Sequence, residues 1–131
     1  MIPVDIAHTE KADTMIKTAR RLGGDEAKIT LLNVVEEIPA YIANEMPGNV
    51  IETSMAHARD VLQKIADSAG GTIEVDVLCG QVTSKILEHA ADAKCDAIVV
   101  ASHRPGLQDY FLGSTAARIV RHAQCSVIVV R

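Results

Sequence analysis

The chain has 131 residues, 48% hydrophobic and 23% charged, the composition of one ordinary globular domain spanning 1–131 and not of a disordered segment. Thirteen Lys and Arg against 17 Asp and Glu give a net charge of −4, which offers no general attraction to nucleic acid or an anionic membrane. Aromatic residues are only 2%, so base-stacking platforms are not expected. No apolar stretch approaches the ~20 residues of a membrane span, and no signal-peptide pattern opens the chain. The expectation is a cytoplasmic protein. Its three cysteines, Cys79, Cys95 and Cys125, are odd in number and lack C-x-x-C spacing. They read as free thiols in a reducing compartment, not as a disulfide framework or zinc site.

Two kinds of segment alternate along the chain. Residues 1–5 (MIPVD) form a truncated β-type run. A helical pattern over 9–22 follows, with Ala12, Met15, Ile16, Ala19 and Leu22 on one stripe and Gly23-Gly24 as the stop. Residues 28–35 (KITLLNVV) read as a strand, and 36–49 (EEIPAYIANEMPGN) as an irregular connection. The next helix covers 50–69, with Ile51, Met55, Ala58, Val61, Leu62 and Ile65 on one face, and ends at Gly70-Gly71. A strand over 72–78 (TIEVDVL) precedes a helix over 83–93 with Thr83 as its cap and Ile86, Leu87 and Ala90 inward. Residues 96–101 (DAIVVA) form the fourth strand and 102–112 (SHRPGLQDYFL) a loop. A helix over 114–122 carries Ala117, Ile119 and Val120, and 125–130 (CSVIVV) is the last strand. Continuous apolar runs suit parallel strands covered on both faces. This alternation predicts an α/β fold with a five-stranded parallel sheet and right-handed crossovers. With strand order 3-2-1-4-5, ligands bind in the crevice beyond the carboxyl ends of strands one and four.

Several residues at that crevice bear chemistry. Asp5 ends the first strand, where a carboxylate accepts hydrogen bonds from a ribose hydroxyl or an adenine amino group; its alternative role is a helix cap, for which Thr9 is better placed. Gly113-Ser114-Thr115 opens the last helix, whose free N–H groups and dipole suit a phosphate, although Ser114 could equally serve as a plain N-cap. Arg104 can hold phosphate with a two-pronged contact or pair with Asp109 on the surface. His103 follows the fourth strand, but no Ser-His-Asp constellation accompanies it. His8, His57, His89 and His122 read as solvated helix positions without metal-ligand spacing, Glu36-Glu37 as a solvated pair, and Met15 and Met55 as core.

Residues 97–131 (AIVVASHRPGLQDYFLGSTAARIVRHAQCSVIVVR) closely resemble the C-terminal signature of the universal stress protein family. IPVDIA looks like that family's VPVDGS-type first strand, LLNVVE like its LLHVVE, and LCGQVTSKILEHAADAKCDAIVV like its EGxPAxxIlexAeexxaDLIVM segment. The resemblance spans the chain except the 36–50 loop. It implies a single-domain Rossmann-like (adenine nucleotide alpha hydrolase-like) three-layer α/β/α sandwich. The nucleotide-binding branch carries G-x2-G-x9-G-[ST] after the fourth strand. Here Ala101 replaces the first glycine and Arg104 the second, the spacer is one residue shorter, and Gly113-Ser114 is retained. The S-H-R-P variant is similar to the small bacterial F and G branch.

Carried over by residue, the resemblance implies adenine and ribose contacts from Pro3, Asp5 and the Val34 backbone. Ala101, Ser102 and Arg104 would lie along ribose and α-phosphate, with Gly113, Ser114 and Thr115 on the outer phosphates. The implied ligand is ATP or another adenine nucleotide, with Mg2+ near Asp5 or Ser114. Without a Walker lysine, any hydrolysis is expected to be slow. The family's dimers pair their last strands, and the apolar edge strand Ser126–Val130 invites the same homodimer here. Alternatives are a dimeric interaction protein that has lost nucleotide binding, or a slow ATP hydrolase.

Overall fold

The computed structural model describes residues 1–24, 26–43, 48–102 and 112–131. In chain order the elements are β1 (Ile2–Pro3), α1 (Ala12–Gly23), β2 (Ile29–Val35), α2 (Ala40–Ala43), α3 (Val50–Ala69), β3 (Ile73–Cys79), α4 (Val82–Asp92), β4 (Ala97–Ala101), α5 (Ser114–His122) and β5 (Ser126–Val130). Helices α3 and α5 have the expected limits. Helix α1 starts later than expected, with Lys11 at its N-cap and no side-chain cap bond, while Thr9 contributes its backbone carbonyl to Ala12 N–H at 3.0 Å. Helix α4 starts at Val82 and is capped by Gln81, whose Oε1 accepts from Ser84 N–H at 2.7 Å, so Thr83 is not the cap. The segment 36–49, expected to be irregular, contains the short helix α2.

All neighbouring strands run parallel, in two ladders, β1-β2-β3 and β4-β5. Met1 joins them: its nitrogen donates to Ala97 O and its carbonyl accepts from Val99 N–H, both at 2.9 Å. These are the two bonds of one parallel bridge opposite Ile98. The order expected from the sequence, 3-2-1-4-5, is thus divided into two ladders that meet at a single point. Alternation along β1 gives the physical reason. Met1 and Pro3 face β4, whereas Val4 turns to β2 and donates to Leu32 O at 2.8 Å. The next donor toward β4 would be the Pro3 N–H, and proline has none.

Side chains alternate between two cores. Ile2, Leu31, Val77 and Val99 face one side, under Met15 and Ile16 of α1 and Ala58 and Leu62 of α3. Leu32, Ile98 and Val100 face the other, under Ile86 and Ala90 of α4 and Ala116 and Ile119 of α5. Burial on both faces is why β2 and β4 read as continuous apolar runs. Each fully buried aliphatic side chain, such as Leu62 or Ile119, contributes about 1.5–3 kcal/mol relative to exposure. Two stripe assignments are corrected: Leu22 is 63% exposed and Val120 47% exposed. Leu22 lies in the last turn of α1. In α5 the inward positions are Ala116 and Ile119, so Val120, one residue on, turns toward solvent.

At the amino end of the sheet, Arg20 of α1 reaches α3. Its Nη1 donates to Ala69 O at 2.9 Å and its Nη2 to Gly70 O, satisfying carbonyls at the C-terminus of α3, where a cation is favoured. Beyond β3, Gly80 has φ +145, and a Cβ there would stand 2.8 Å from Lys85 Cε. The chain needs glycine at this turn into α4.

Candidate functional site: the crevice between strands β1 and β4

At the carboxyl ends β1 and β4 lie side by side, joined by the Met1 bridge, which Pro3, lacking an N–H, cannot extend with a donor of its own. Pro3 is half-buried on the crevice wall. Val4 follows, 4% exposed, with its carbonyl held by Asn33 Nδ2 at 2.8 Å. Asn33 sits inside the apolar run of β2 and is 7% exposed, one of two buried polar residues among those described, with Thr83. It ties β2 to the point where the chain leaves β1.

Asp5 is exposed, and its Oδ1 accepts the Ala7 N–H at 2.9 Å, while its backbone carbonyl accepts the His8 N–H at 2.9 Å. This is an Asx turn, which corrects the N-cap alternative, since α1 begins beyond Lys11. The turn fixes the carboxylate at the crevice mouth with one oxygen engaged. Val34 is half-buried in β2, opposite Leu78 of β3.

On the other wall, Ala101 ends β4 opposite Val130 of β5. Ser102 continues the pairing by donating its N–H to Val130 O at 2.9 Å. Arg104, His103 and Asp109 lie outside the described residues. The chain is described again at Leu112, and a Cβ on Gly113 would stand 4.0 Å from Ser102 O. The start of α5 therefore lies beside the end of β4. Gly113 occupies the N-cap with φ −54 and no side-chain cap bond, which corrects the reading of Ser114 as N-cap. Ser114 and Thr115 are exposed in the first turn. The first N–H groups of α5 thus receive no cap from the N-cap side chain, and the dipole adds partial positive charge. Pro3, Asp5, Ala101, Ser102, Gly113, Ser114 and Thr115 gather around the two strand ends and this helix start; Val34 lies one strand further out.

Two polar contacts were missed in the sequence. One is Asn33, whose signal was a lone amide inside LLNVV. The other is His89 of α4, half-buried with Nε2 3.0 Å from Asp76 Oδ2 of β3; it was read as solvated because the facing carboxylate lies on another element. Nearby, Glu88 bonds Lys85 at 2.9 Å and raises the pKa of its ammonium. Met15 is core as expected, and Met55 packs half-buried against it. Glu36 and Glu37 are exposed. No three-residue group of His, Cys, Asp or Glu that could hold a metal occurs among the described residues.

A parallel α/β sheet with helices on both faces and a crevice at the strand carboxyl ends defines a Rossmann-like domain. The family model described as the universal stress protein family matches residues 1–131, and the chain belongs to that family. Universal stress protein G of Shigella flexneri is 28% identical over 137 residues, covering 100% of this chain and 96% of its own; the match fits the F/G-type branch. The solved universal stress protein UspA from Lactobacillus plantarum has the same fold, with a TM-score of 0.77, 24% identity, and 99% and 96% of the two chains covered. Solved neighbours with nucleotides have the fold too. A universal stress protein in complex with cAMP has a TM-score of 0.65 at 22% identity, covering 99% of this chain and 93% of that one. The Arabidopsis thaliana family protein with AMP bound has a TM-score of 0.61 at 21% identity, covering 92% and 76%.

Proposed function

We propose that the chain binds an adenine nucleotide in the crevice between β1 and β4 and acts as a nucleotide-responsive regulatory module. The observation that carries the reading is the start of α5, without a side-chain cap, beside Ser102 at the carboxyl end of β4, next to β1. A nucleotide's base and sugar suit the Pro3–Asp5 wall and its phosphates the helix start. The cAMP and AMP complexes of related structures support the same ligand class. Pro3, Asp5 and the Val34 backbone take adenine and ribose. Ala101, Ser102 and Arg104 line ribose and α-phosphate, and Gly113, Ser114 and Thr115 take the outer phosphates of ATP, with Mg2+ at Asp5 or Ser114. Binding changes the surface offered to partners. Turnover is slow, because the sequence has no Walker lysine.

The cell compartment in this reading is the cytoplasm; no described helix is long and apolar enough to cross a membrane. The protein works as a homodimer through Ser126–Val130, since β5 pairs only with β4 among the described strands and leaves its other edge open. The competing reading is a dimeric interaction protein without nucleotide, favoured by Ala101 and Arg104 standing where the family's loop has glycine.

The test is a thermal-shift titration with ATP, ADP, AMP and GTP, with and without magnesium. A ligand at about a hundred times its Kd adds roughly 2.7 kcal/mol, a rise of several degrees for a domain of this size. Asp5→Asn is the informative variant: it retains an acceptor for Ala7 N–H but puts a donor where the second carboxylate oxygen stood. An adenine-specific rise that is lost in Asp5→Asn supports the site. No rise at millimolar nucleotide overturns it in favour of the interaction protein.

A further inference from the structure

At the amino end of the β4–β5 pair, opposite the crevice, a cleft of about 510 Å3 lies between the ends of α4 and α5. Cys95 and Cys125 both line it, as does Ile98, and both pack half-buried on the same core cluster to which Ile98 belongs. Neither belongs to the nucleotide site. The β4–β5 register begins at Ala97 opposite Ser126, and Ser126 N–H donates to Asp96 O at 3.2 Å. Carried back one residue, it sets Cys125 opposite Asp96, the neighbour of Cys95. Strands about 4.8 Å apart, offset by one residue, then bring the two Cα atoms to about 6 Å, inside the range that a disulfide spans. In two regular strands, residues offset by one would point to opposite faces. Here Cys95 precedes the strand, in the turn held by its own N–H bond to Ala90 O at 2.9 Å, and it faces the same core as Cys125.

We propose that Cys95 and Cys125 are a redox pair that closes to an intramolecular disulfide when the protein meets a hydroperoxide, fastening the start of β4 to the start of β5. Cys125 attacks the peroxide oxygen; the O–O bond breaks, leaving a sulfenic acid on Cys125 and one water. The Cys95 sulfur then displaces the hydroxyl from Cys125, which leaves as a second water with the Cys95 proton. Two thiols lose two electrons and two protons, and hydrogen peroxide becomes two waters. Burial raises the pKa of Cys95, with Cys125 and Asp96 adding to the rise; this suits Cys95 as the resolving thiol rather than the first to react. Cys79, at the carboxyl end of β3, lies outside this cleft and serves as an internal control.

The experiment treats the native protein with a slight excess of hydrogen peroxide and maps its peptides by mass spectrometry. The expected product is a monomeric chain lighter by two hydrogens. Its free thiols fall from three to one, a linked peptide joins Cys95 to Cys125, and dithiothreitol restores all three. Cys79→Ser still closes the link, and Cys125→Ser forms none. A link through Cys79, a disulfide between two chains, oxidation to sulfinic acid without a link, or closure only after denaturation each overturns the proposal. The mapping is made on the unaltered chain, so it stands even where a variant folds poorly.

Discussion

Replacing Asn33 with alanine tests whether the crevice is held at its base by one buried amide. The side chain is 7% exposed, and its Nδ2 donates to the Val4 carbonyl at 2.8 Å. Alanine removes the donor and leaves that carbonyl buried beside Val4 and Leu32, which are 4% and 1% exposed. Leaving a buried polar group unpaired costs about 1–3 kcal/mol. At roughly 3–5 °C per kcal/mol for a domain of this length, a loss of about 2 kcal/mol lowers the Tm by about 6–10 °C. Asn33→Leu, close in volume, separates the hydrogen bond from the packing and should lose nearly as much. Asn33→Asp is expected to lose at least as much above its carboxyl pKa, because an acceptor then faces an acceptor. Urea unfolding of all three variants, at unchanged m-value, measures the effect. The same variants should weaken the nucleotide-induced thermal shift, since Val4 carries the chain into Asp5. Alanine and leucine variants both within 0.5 kcal/mol of the parent would refute the reasoning.

Arg20→Ala removes both donors at the C-terminus of α3 and should cost about 1–2 kcal/mol in urea unfolding. Arg20→Lys should not restore it, because a lysine ammonium cannot reproduce the fork that meets Ala69 O and Gly70 O; full rescue by lysine would show that charge alone matters. For Cys95, whose thiol pKa is raised mainly by burial, iodoacetamide should react more slowly than with free cysteine, its rate still climbing above the ordinary thiol range. The linkage has the matching sign. The folded state holds the proton more tightly than the unfolded chain, so this stability is full below the unfolded thiol pKa and lost as pH rises through the folded one. A Cys95 rate that levels off at the ordinary thiol pKa would contradict the burial argument.

Local pattern made most of the fold legible. The apolar runs of β2 and β4 carried the two-sided sheet, and the stripe over 50–69 with its Gly70-Gly71 stop located α3 within its true limits. Less legible were the features set by partners distant in sequence. Gln81 caps α4 through a side-chain bond that propensity ranks below Thr83. His89 looked solvated until Asp76 of β3 was brought 3.0 Å from it. Leu22 lay on a helical stripe, but in the last turn of α1 it is 63% exposed, so periodicity assigned it to a core that does not cover it. At the candidate site, Gly113 stands at a helix start as expected, whereas Asp5, expected to end the first strand, lies two residues beyond β1 in an Asx turn. Asn33 was passed over, because an amide inside LLNVV has meaning only once Val4 O is known to face it.

The carboxyl ends of β1 and β4 are the point at which sequence, fold and proposed ligand meet. In an open parallel sheet a ligand binds beyond the carboxyl ends of the strands, where successive connections leave to opposite faces, as those from β1 to α1 and from β4 to α5 do here. A proline two residues after the Met1 bridge removes the donor that would continue the seam. It costs one ladder bond at the centre of the sheet, where proline is otherwise disfavoured. Asn33 offsets part of that cost by fixing the Val4 carbonyl on the β2 side. The Asx turn at Asp5 then takes the chain away from β4, while Ser102 remains paired to β5. The two walls thus rest on opposite anchors, β2 for one and β5 for the other, and the start of α5 lies beside Ser102. In the proposed reading a flat base enters between those two connections, beyond the strand ends, while β1 and β4 themselves remain neighbours.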